Sequence, residues 1–406
     1  MSSRPTIGIA GFGMEGRAVY EYFKDRASIH IFDESAVDIT GIDATFHQAL
    51  RIPEDISVIF KSPGIPTSKL ALASSQTRIS TFMDTVLENV GARSIGITGT
   101  KGKSTVTALV HHVLKEAGKD VVLFGNIGIA DATTLREDIL ERQYVIELSS
   151  YQCEHITHSP HIAVFTNFYP EHLSHHGSLD SYREAKLNIA RFQKPEDIFI
   201  NASGVATDFP GKEVSPDLSL RFETKLAGEH NQRNCAIAFA AICAAGIDEA
   251  TARKHIETFE PLPYRLEKVG TYKEITFFDD SLATIPEATL ASIETLGNVD
   301  TLILGGEDRG ISFEEFAAAL VDTSITTFIV FPDTGAKMVA KLGDRRVIPI
   351  SSMEEAVRAA FAETRAGGTV LLSNASPSFN LFKDYKDKSA QYRKWIEELG
   401  GGMVAS

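Results

Sequence analysis

Residues 97–105 read Ile-Thr-Gly-Thr-Lys-Gly-Lys-Ser-Thr, a glycine-rich turn between an apolar run at 95–98 and a run of helical period over 106–117 that ends at Gly118. A strand that turns on glycines into the start of a helix is a phosphate site. The backbone N–H groups from Gly99 to Lys103 can point at one anion because glycine tolerates the curvature, and the helix N-terminus adds partial positive charge. In that arrangement Lys103 meets the β/γ-phosphates of a nucleotide and Ser104 holds Mg²⁺. The spacing departs from the common G-x-x-x-x-G-K-[ST] form, since Ile97 stands five positions before Gly102.

Around this loop, apolar runs of strand length alternate with stretches of helical period, which predicts parallel sheets flanked by helices. A chain of 406 residues is also too long for one ordinary core. Three blocks separate. In the first, residues 1–90, a strand at 6–10 leads into Gly11-Phe-Gly13-Met-Glu-Gly16, a helix through Phe23 and a strand at 29–32 ending at Asp33; another strand at 56–60 precedes a Ser62-Pro63-Gly64 turn. This is a Rossmann-type half. The second block, residues 91–260, carries the phosphate loop and strands at 121–124, 144–148, 161–166 and 197–200. Ser181-Tyr-Arg-Glu184 fits a capping box opening or supporting a helix that carries Lys186. After the Glu260-Pro261-Leu262-Pro263 hinge, the third block, residues 261–406, alternates again, with strands at 275–278, 301–304, 327–331, 347–350 and 369–373. It reads as a second doubly wound α/β domain, so the fold class is α/β in three domains.

Gly11, Gly13 and Gly16 match G-x-G-x-x-G after a strand, with Asp33 where a ribose-binding acid would sit. Alone this points to a nicotinamide dinucleotide; a second nucleotide loop in another domain leaves open a different nucleotide-bearing ligand, and a purely structural turn. Glu147 ends an apolar strand and is followed by Leu-Ser-Ser-Tyr-Gln152, where a carboxylate could face the phosphate loop and complete a Mg²⁺ shell. His172 follows a strand, where loops at the carboxyl ends of parallel strands collect ligands. His155, His158, His161, His175 and His176 crowd the same region, yet their spacings match no zinc finger and there is no H-E-x-x-H helix. Lys186, by residue type alone, is a solvated helix lysine.

The net charge of −14, from 40 basic and 54 acidic residues, argues against a nucleic-acid partner. Cys153, Cys235 and Cys243 have no metal-type spacing and read as reduced core residues of a cytoplasmic protein. No apolar run reaches about 18 residues and no signal pattern opens the chain, so no membrane partner is expected. A monomer is expected.

These motifs, taken in order, resemble the Mur ligases, and within them the type that adds glutamate. The resemblance runs through Gly11–Gly16, the phosphate loop, Gly125-Asn126-Ile127-Gly128, Glu147–Gln152, Glu171-His172, Arg183–Lys186, Gly228-Glu-His-Asn231 with Asn234, Leu262–Arg265, Asp280-Ser281, Gly305-Gly306, and Ser378 with Phe382-Lys383. It implies a UDP-sugar domain, a central ATPase and a C-terminal Rossmann-like domain for the amino acid. It also implies ATP-driven formation of an acyl phosphate on UDP-N-acetylmuramoyl-L-alanine, opened by the amine of glutamate, in peptidoglycan precursor synthesis. On that resemblance Gly99, Thr100, Lys101, Gly102, Lys103, Ser104 and Thr105 cradle ATP, Asn234 meets adenine, and Arg265 and Asp280 meet the rest of ATP. Ser104 and Glu147 hold one Mg²⁺, and His172 and a carbamylated Lys186 a second. Gly13, Met14, Glu15, Asp33, Glu34, Ser62 and Gly64 lie at the UDP end, Asn126 and Gln152 touch the muramoyl part, and Thr284, Arg309, Ser378, Phe379 and Tyr385 form the amino-acid pocket.

The amino-acid region is the least faithful to the family. Leu282 stands where Asp-Ser-Lys-Ala-Thr has its lysine, and Arg309 replaces a common lysine, keeping charge and adding bidentate geometry. Ser373-Asn-Ala-Ser-Pro-Ser378 replaces Ser-Pro-Ala-Cys-Ala-Ser. The handedness of the glutamate stays open between D and L. A sister ligase or a folylpolyglutamate-type ligase is the near alternative; a nicotinamide oxidoreductase and a non-catalytic nucleotide sensor are the distant ones.

Overall fold

The structure, a computed structural model, describes residues 4–34, 36–125, 141–170, 173–226, 228–260, 263–284, 286–308, 313–378 and 381–401. The chain divides into two compact units, Met1–Glu260 and Pro261–Ser406.

Unit one holds two parallel sheets. The first comprises β1 (Thr6–Ala10), β2 (Ser28–Phe32), β3 (Thr45–His47), β5 (Val58–Lys61) and β7 (Arg78–Ser80) in the order β3-β2-β1-β5-β7; β4 (Arg51–Ile52) and β6 (Ala71–Leu72) pair beside it. The second comprises β8 (Ser94–Thr98), β9 (Val121–Gly125), β10 (Gln143–Glu147), β11 (Ile162–Phe165), β12 (Ile198–Asn201) and β13 (Lys212–Val214) in the order β13-β12-β11-β8-β10-β9. In the first sheet the chain builds outward from β1 through β2 and β3 and then crosses to β5 and β7; in the second it runs from β8 to the edge strand β9, returns to β10 between them, and then crosses to β11, β12 and β13. That reversal opens a crevice at the carboxyl ends of the strands on either side of β1 and β8. All five residues of β8 are buried, as expected for a strand covered on both faces.

Unit two holds β14 (Glu267–Tyr272), β15 (Ile275–Asp280), β16 (Thr301–Leu304), β17 (Thr327–Val330), β18 (Arg346–Pro349) and β19 (Thr369–Ser373), ordered β14-β15-β19-β16-β17-β18. Alternate residues face two cores: Ile303, Val370 and Leu372 on one side, Leu302, Leu304 and Leu371 on the other.

Besides the short strands β3, β4, β6, β7 and β13, which the sequence expectation lacks, three differences bear on the argument. The edge strand β14 is antiparallel to β15 with a bulge between Lys268 and Gly270; its charged, glycine-interrupted sequence hid it. The helix after the phosphate loop starts at Lys103, three residues before the apolar period becomes visible. The helix carrying Lys186 spans Leu179–Arg191 and is capped by Ser178, whose side chain accepts from the Ser181 N–H, so Ser181 does not open it. A capping box does form at Ser149, whose side chain accepts from the Gln152 N–H while Gln152 Oε1 accepts from the Ser149 N–H.

Candidate active site

The phosphate loop leaves β8 at Thr98 and enters the helix Lys103–Glu116 through Gly102. Gly99 and Gly102 have φ of 152° and 77°, the region glycine alone enters cheaply. Contacts enforce it too. A Cβ on Gly99 would lie 1.9 Å from Thr166 Oγ1, and one on Gly102 2.3 Å from Asn234 Oδ1. The loop is held by the segment after β11: Lys101 N–H donates to Asn167 Oδ1 at 2.8 Å, Thr166 Oγ1 donates to the Lys101 carbonyl at 2.7 Å, and Thr100 N–H donates to the Asn167 carbonyl at 3.0 Å. Lys101 thus contributes its backbone to the loop's shape. Sequence reasoning placed His172 in this segment and missed Thr166 and Asn167, although the rule that loops after parallel strands gather at a site covered them equally.

Several expected residues meet at the loop. Lys103 Nζ donates to the carbonyls of Gly99 and Thr100 at 3.0 and 2.9 Å. Lys186 is not a solvated lysine: it is 1% exposed, its Nζ donates to the Gly99 carbonyl at 2.6 Å, and it lies 4.8 Å from the Tyr182 ring centroid. Ser104 is buried in the first helical turn. Glu147, also buried, ends β10 opposite Ile97 of β8 and Gly125 of β9. Leu148 N–H donates to the Ile97 carbonyl and Thr98 Oγ1 to the Leu148 carbonyl, which ties the Glu147 strand end to the loop's entrance. Asn234, on the helix Glu229–Ala244, reaches Gly102. Met14 lies in the helix Met14–Phe23. His172, Asn126, Arg309 and Phe379 lie outside the described residues.

In the first sheet the three glycines divide their work. A Cβ on Gly16 would meet the Gly11 carbonyl at 2.2 Å and one on Gly11 would meet Ser62 at 2.9 Å, whereas one on Gly13 would meet nothing within 4 Å. The open face at Gly13 is where a phosphate could approach the backbone. Asp33 Oδ2 accepts from the Phe12 N–H at 2.9 Å, and Ser62 Oγ donates to the Gly11 carbonyl at 2.8 Å, so both brace the turn. A Cβ on Gly64 would also be unobstructed, and Glu34 is exposed beside Lys69 at 3.0 Å. Gln152 crosses from the second sheet: its Nε2 donates to Glu15 Oε1 at 2.6 Å. Nearby, Glu154, His175 and His176 gather with ligand atoms within 4.8 Å of one another. The buried ammonium of Lys61 sits 3.0 Å from Glu154 Oε2 and already supplies a cation there.

In unit two, Asp280 is fully buried. It accepts from Leu266 N–H at 3.1 Å, Ser292 Oγ at 2.6 Å and Ser373 Oγ at 2.8 Å. Burial pushes its carboxyl up to about 6 against the opposing pull of Ser292, Ser373 and Arg265. Asn374 Nδ2 links the Ser281 carbonyl at 2.7 Å to Ser378 Oγ at 3.2 Å. Leu282 N–H donates to the Tyr264 carbonyl, and the Tyr264 ring meets Tyr385 edge-on at 5.6 Å. Asp280, Ser378 and Tyr385 are therefore tied into the same strand-end loops, next to half-buried Thr284.

The loop suits a nucleotide and its metal. Its glycines leave a cradle that side chains would fill, and the buried hydroxyl of Ser104 and carboxylate of Glu147 are the hard oxygen donors Mg²⁺ takes. A phosphate loop at the switch point of a parallel sheet, in a chain with two further α/β sheets, defines a nucleotide-binding α/β protein of the P-loop kind.

Residues 97–208 match the Mur ligase middle domain, and residues 264–375 the Mur ligase glutamate ligase domain. The chain is 33% identical over 381 aligned residues to the UDP-N-acetylmuramoyl-L-alanine–L-glutamate ligase of Salinispora tropica, covering 85% of this chain and 84% of that protein. It is 28% identical to the UDP-N-acetylmuramoylalanine–D-glutamate ligase of Caldicellulosiruptor bescii, covering 96% and 97%. Among solved structures, MurF of Thermotoga maritima in complex with ADP superposes with a TM-score of 0.57 at 13% identity, covering 98% and 96%. The chain belongs to the Mur ligase family, ATP-dependent enzymes that form amide bonds. Among the described residues, no helix is long and apolar enough to cross a membrane.

Proposed function

We propose that this enzyme joins glutamate to the carboxyl group of UDP-N-acetylmuramoyl-L-alanine, a step of peptidoglycan precursor synthesis. The names of its relatives support the substrates. The observation that carries the chemistry is the convergence of Lys103 and Lys186 on the Gly99 carbonyl at the phosphate loop. Two ammoniums on one carbonyl make a place that favours anions, as the γ-phosphate of ATP and the acceptor carboxylate both are.

A carboxylate is a poor electrophile. Transfer of the γ-phosphoryl group to its oxygen gives an acyl phosphate and ADP; the unprotonated glutamate amine then attacks the carbonyl carbon, and the tetrahedral intermediate breaks its C–O bond to phosphate while the nitrogen gives up one proton, which ends on the departing phosphate. Lys103 holds the transferring phosphoryl group, Asn234 and the loop amides hold the nucleotide, and Gln152 orients the acceptor. Ser104 and Glu147 would hold Mg²⁺, which supplies charge neutralisation on the phosphates. As the ammonium seen at Gly99, Lys186 adds positive charge for the anions; it would join His172 at a second Mg²⁺ only after conversion to its carbamate, since an ammonium cannot ligate a cation. In the C-terminal unit, Arg265 meets ATP from a segment that Asp280 anchors through Leu266, and Thr284, Arg309, Ser378, Phe379 and Tyr385 frame the amino acid. The boundaries 1–90, 91–260 and 261–406 divide these tasks among sugar-nucleotide, ATP and amino-acid domains.

Phosphate release measured with ATP, the acceptor and glutamate tests the reading. Release must require all three; release without the acceptor or with any amino acid would overturn it. Relatives are named for both hands of glutamate, and the same assay run with each hand assigns it here.

A further inference from the structure

Glu15 stands in an unexpected place for an acid. It lies two residues after Gly13, the glycine left open for a phosphate, in the first turn of the helix Met14–Phe23. An ionised carboxylate beside an incoming diphosphate would repel it. Oε1 of Glu15 accepts from Gln152 Nε2 at 2.6 Å, while Oε2 is buried with no hydrogen-bond partner among the described residues. One oxygen is thus fixed by a neutral amide and the other is held out of water, where a charged carboxylate oxygen costs more than a neutral one.

We propose that Glu15 is a carboxylic acid in the sugar-nucleotide complex, because its buried, unpartnered oxygen beside the open backbone at Gly13 cannot stay ionised against the ligand's negative charge, so that binding takes up a proton. This rests on the reading of the first sheet as the sugar-nucleotide site. The surroundings agree. Burial pushes the Glu15 carboxyl up to about 7, with the Gln152 hydrogen bond and Lys61 pulling the other way. Lys61, at the end of β5, is itself engaged by Glu154 at 3.0 Å. Asp33, at the end of β2, takes the Phe12 N–H, and Arg17, on the helix of Glu15, lies over the Phe12 ring at 4.7 Å. The diphosphate adds negative charge and drives the proton further onto Glu15. Glu15 therefore makes affinity for the sugar nucleotide fall with rising pH.

Titration calorimetry of UDP-N-acetylmuramoyl-L-alanine in buffers of different ionisation enthalpy reads proton uptake directly. At pH 8 the full-length enzyme takes up close to one proton per ligand, and KM for the acceptor rises toward about tenfold per pH unit above pH 7. Glu15→Gln keeps the hydrogen bond to Gln152, takes up no proton and flattens that slope. If this variant fails to fold, the infrared difference spectrum of the wild-type complex replaces it and must gain a protonated-carboxyl band. Tight binding without proton uptake, or an unchanged slope in Glu15→Gln, overturns the proposal and leaves the sugar-nucleotide reading standing. No binding at all overturns both.

Discussion

The ammonium of Lys186 donates to the carbonyl oxygen of Gly99 at 2.6 Å, across 87 residues of chain, and Lys103 donates to the same oxygen at 3.0 Å. The loop's own hydrogen bonds depend little on either lysine, since Thr166 and Asn167 hold its backbone. Function and stability should therefore separate here. Lys103→Ala is expected to lower kcat by about 10²–10³, the usual cost of removing one preorganised donor from a developing negative charge. Lys186→Met, which keeps length and apolar contacts, should lose activity on a similar scale. Thermal melts within a few degrees of wild type, together with the lost phosphate release, would separate a chemical role from a structural one.

Glycines that look alike in the sequence have opposite demands. Gly102→Ala forces a Cβ into Asn234 at a φ of 77°, and should cost about 1–2 kcal/mol of stability and weaken ADP binding at least tenfold by calorimetry. Gly13 has φ of −77° and open space around it. Gly13→Ala should melt with wild type yet raise KM for the sugar nucleotide, because the added methyl group occupies the ligand's approach and no protein atom's.

Asp280 is the hinge of the C-terminal site's local order. Asp280→Ala removes the acceptor of the Leu266 N–H and the Ser292 and Ser373 hydroxyls in a buried setting. Stranded donors of this kind cost about 2–3 kcal/mol, and chemical denaturation should show it. Asp280→Asn retains acceptor oxygen for Leu266 and should lose less than the alanine variant. An alanine variant as stable as wild type would refute this account of how the segment from Arg265 is held.

The phosphate loop, the glycine turn after β1 and the central strands were legible because each is a local pattern: an apolar run buried on both faces, then glycines that must bend. Glu147 was readable for the same reason, as a charge ending the apolar run of β10. Lys186 was not, since a lysine on a helix is solvated by default and only the fold brings Leu179–Arg191 against Gly99. Thr166, Asn167 and the Glu15–Gln152 contact depend on strands brought together by the crossover. The short edge strands β3, β4, β6 and β13 span two or three residues, too few for a period to show. Leu282 reads in the sequence as a missing cation; its backbone N–H ties Tyr264 into place, a role any side chain allows.

Lys388 gives the C-terminal unit a pH-dependent stability of its own. It is fully buried, donates to the Gly305 carbonyl at 2.9 Å and lies over the rings of Phe331 and Phe382 at 4.3 and 5.2 Å. Burial pulls its amine down from 10.5 to about 7, against the favourable charge of Asp279. Between those values the unfolded chain carries a proton that the folded unit has shed, so unfolding binds a proton and stability rises with pH. Below about 7 both states are protonated and the contribution is flat at its lowest level. From this group alone the slope reaches up to about 1.4 kcal/mol per pH unit between pH 7 and 10. Lys388→Met keeps the contact with both rings and abolishes the titration, so denaturation curves of the two proteins, run at matched ionic strength across pH 6–10, should diverge in slope above pH 7. Parallel curves would show that Lys388 keeps its proton in the folded unit.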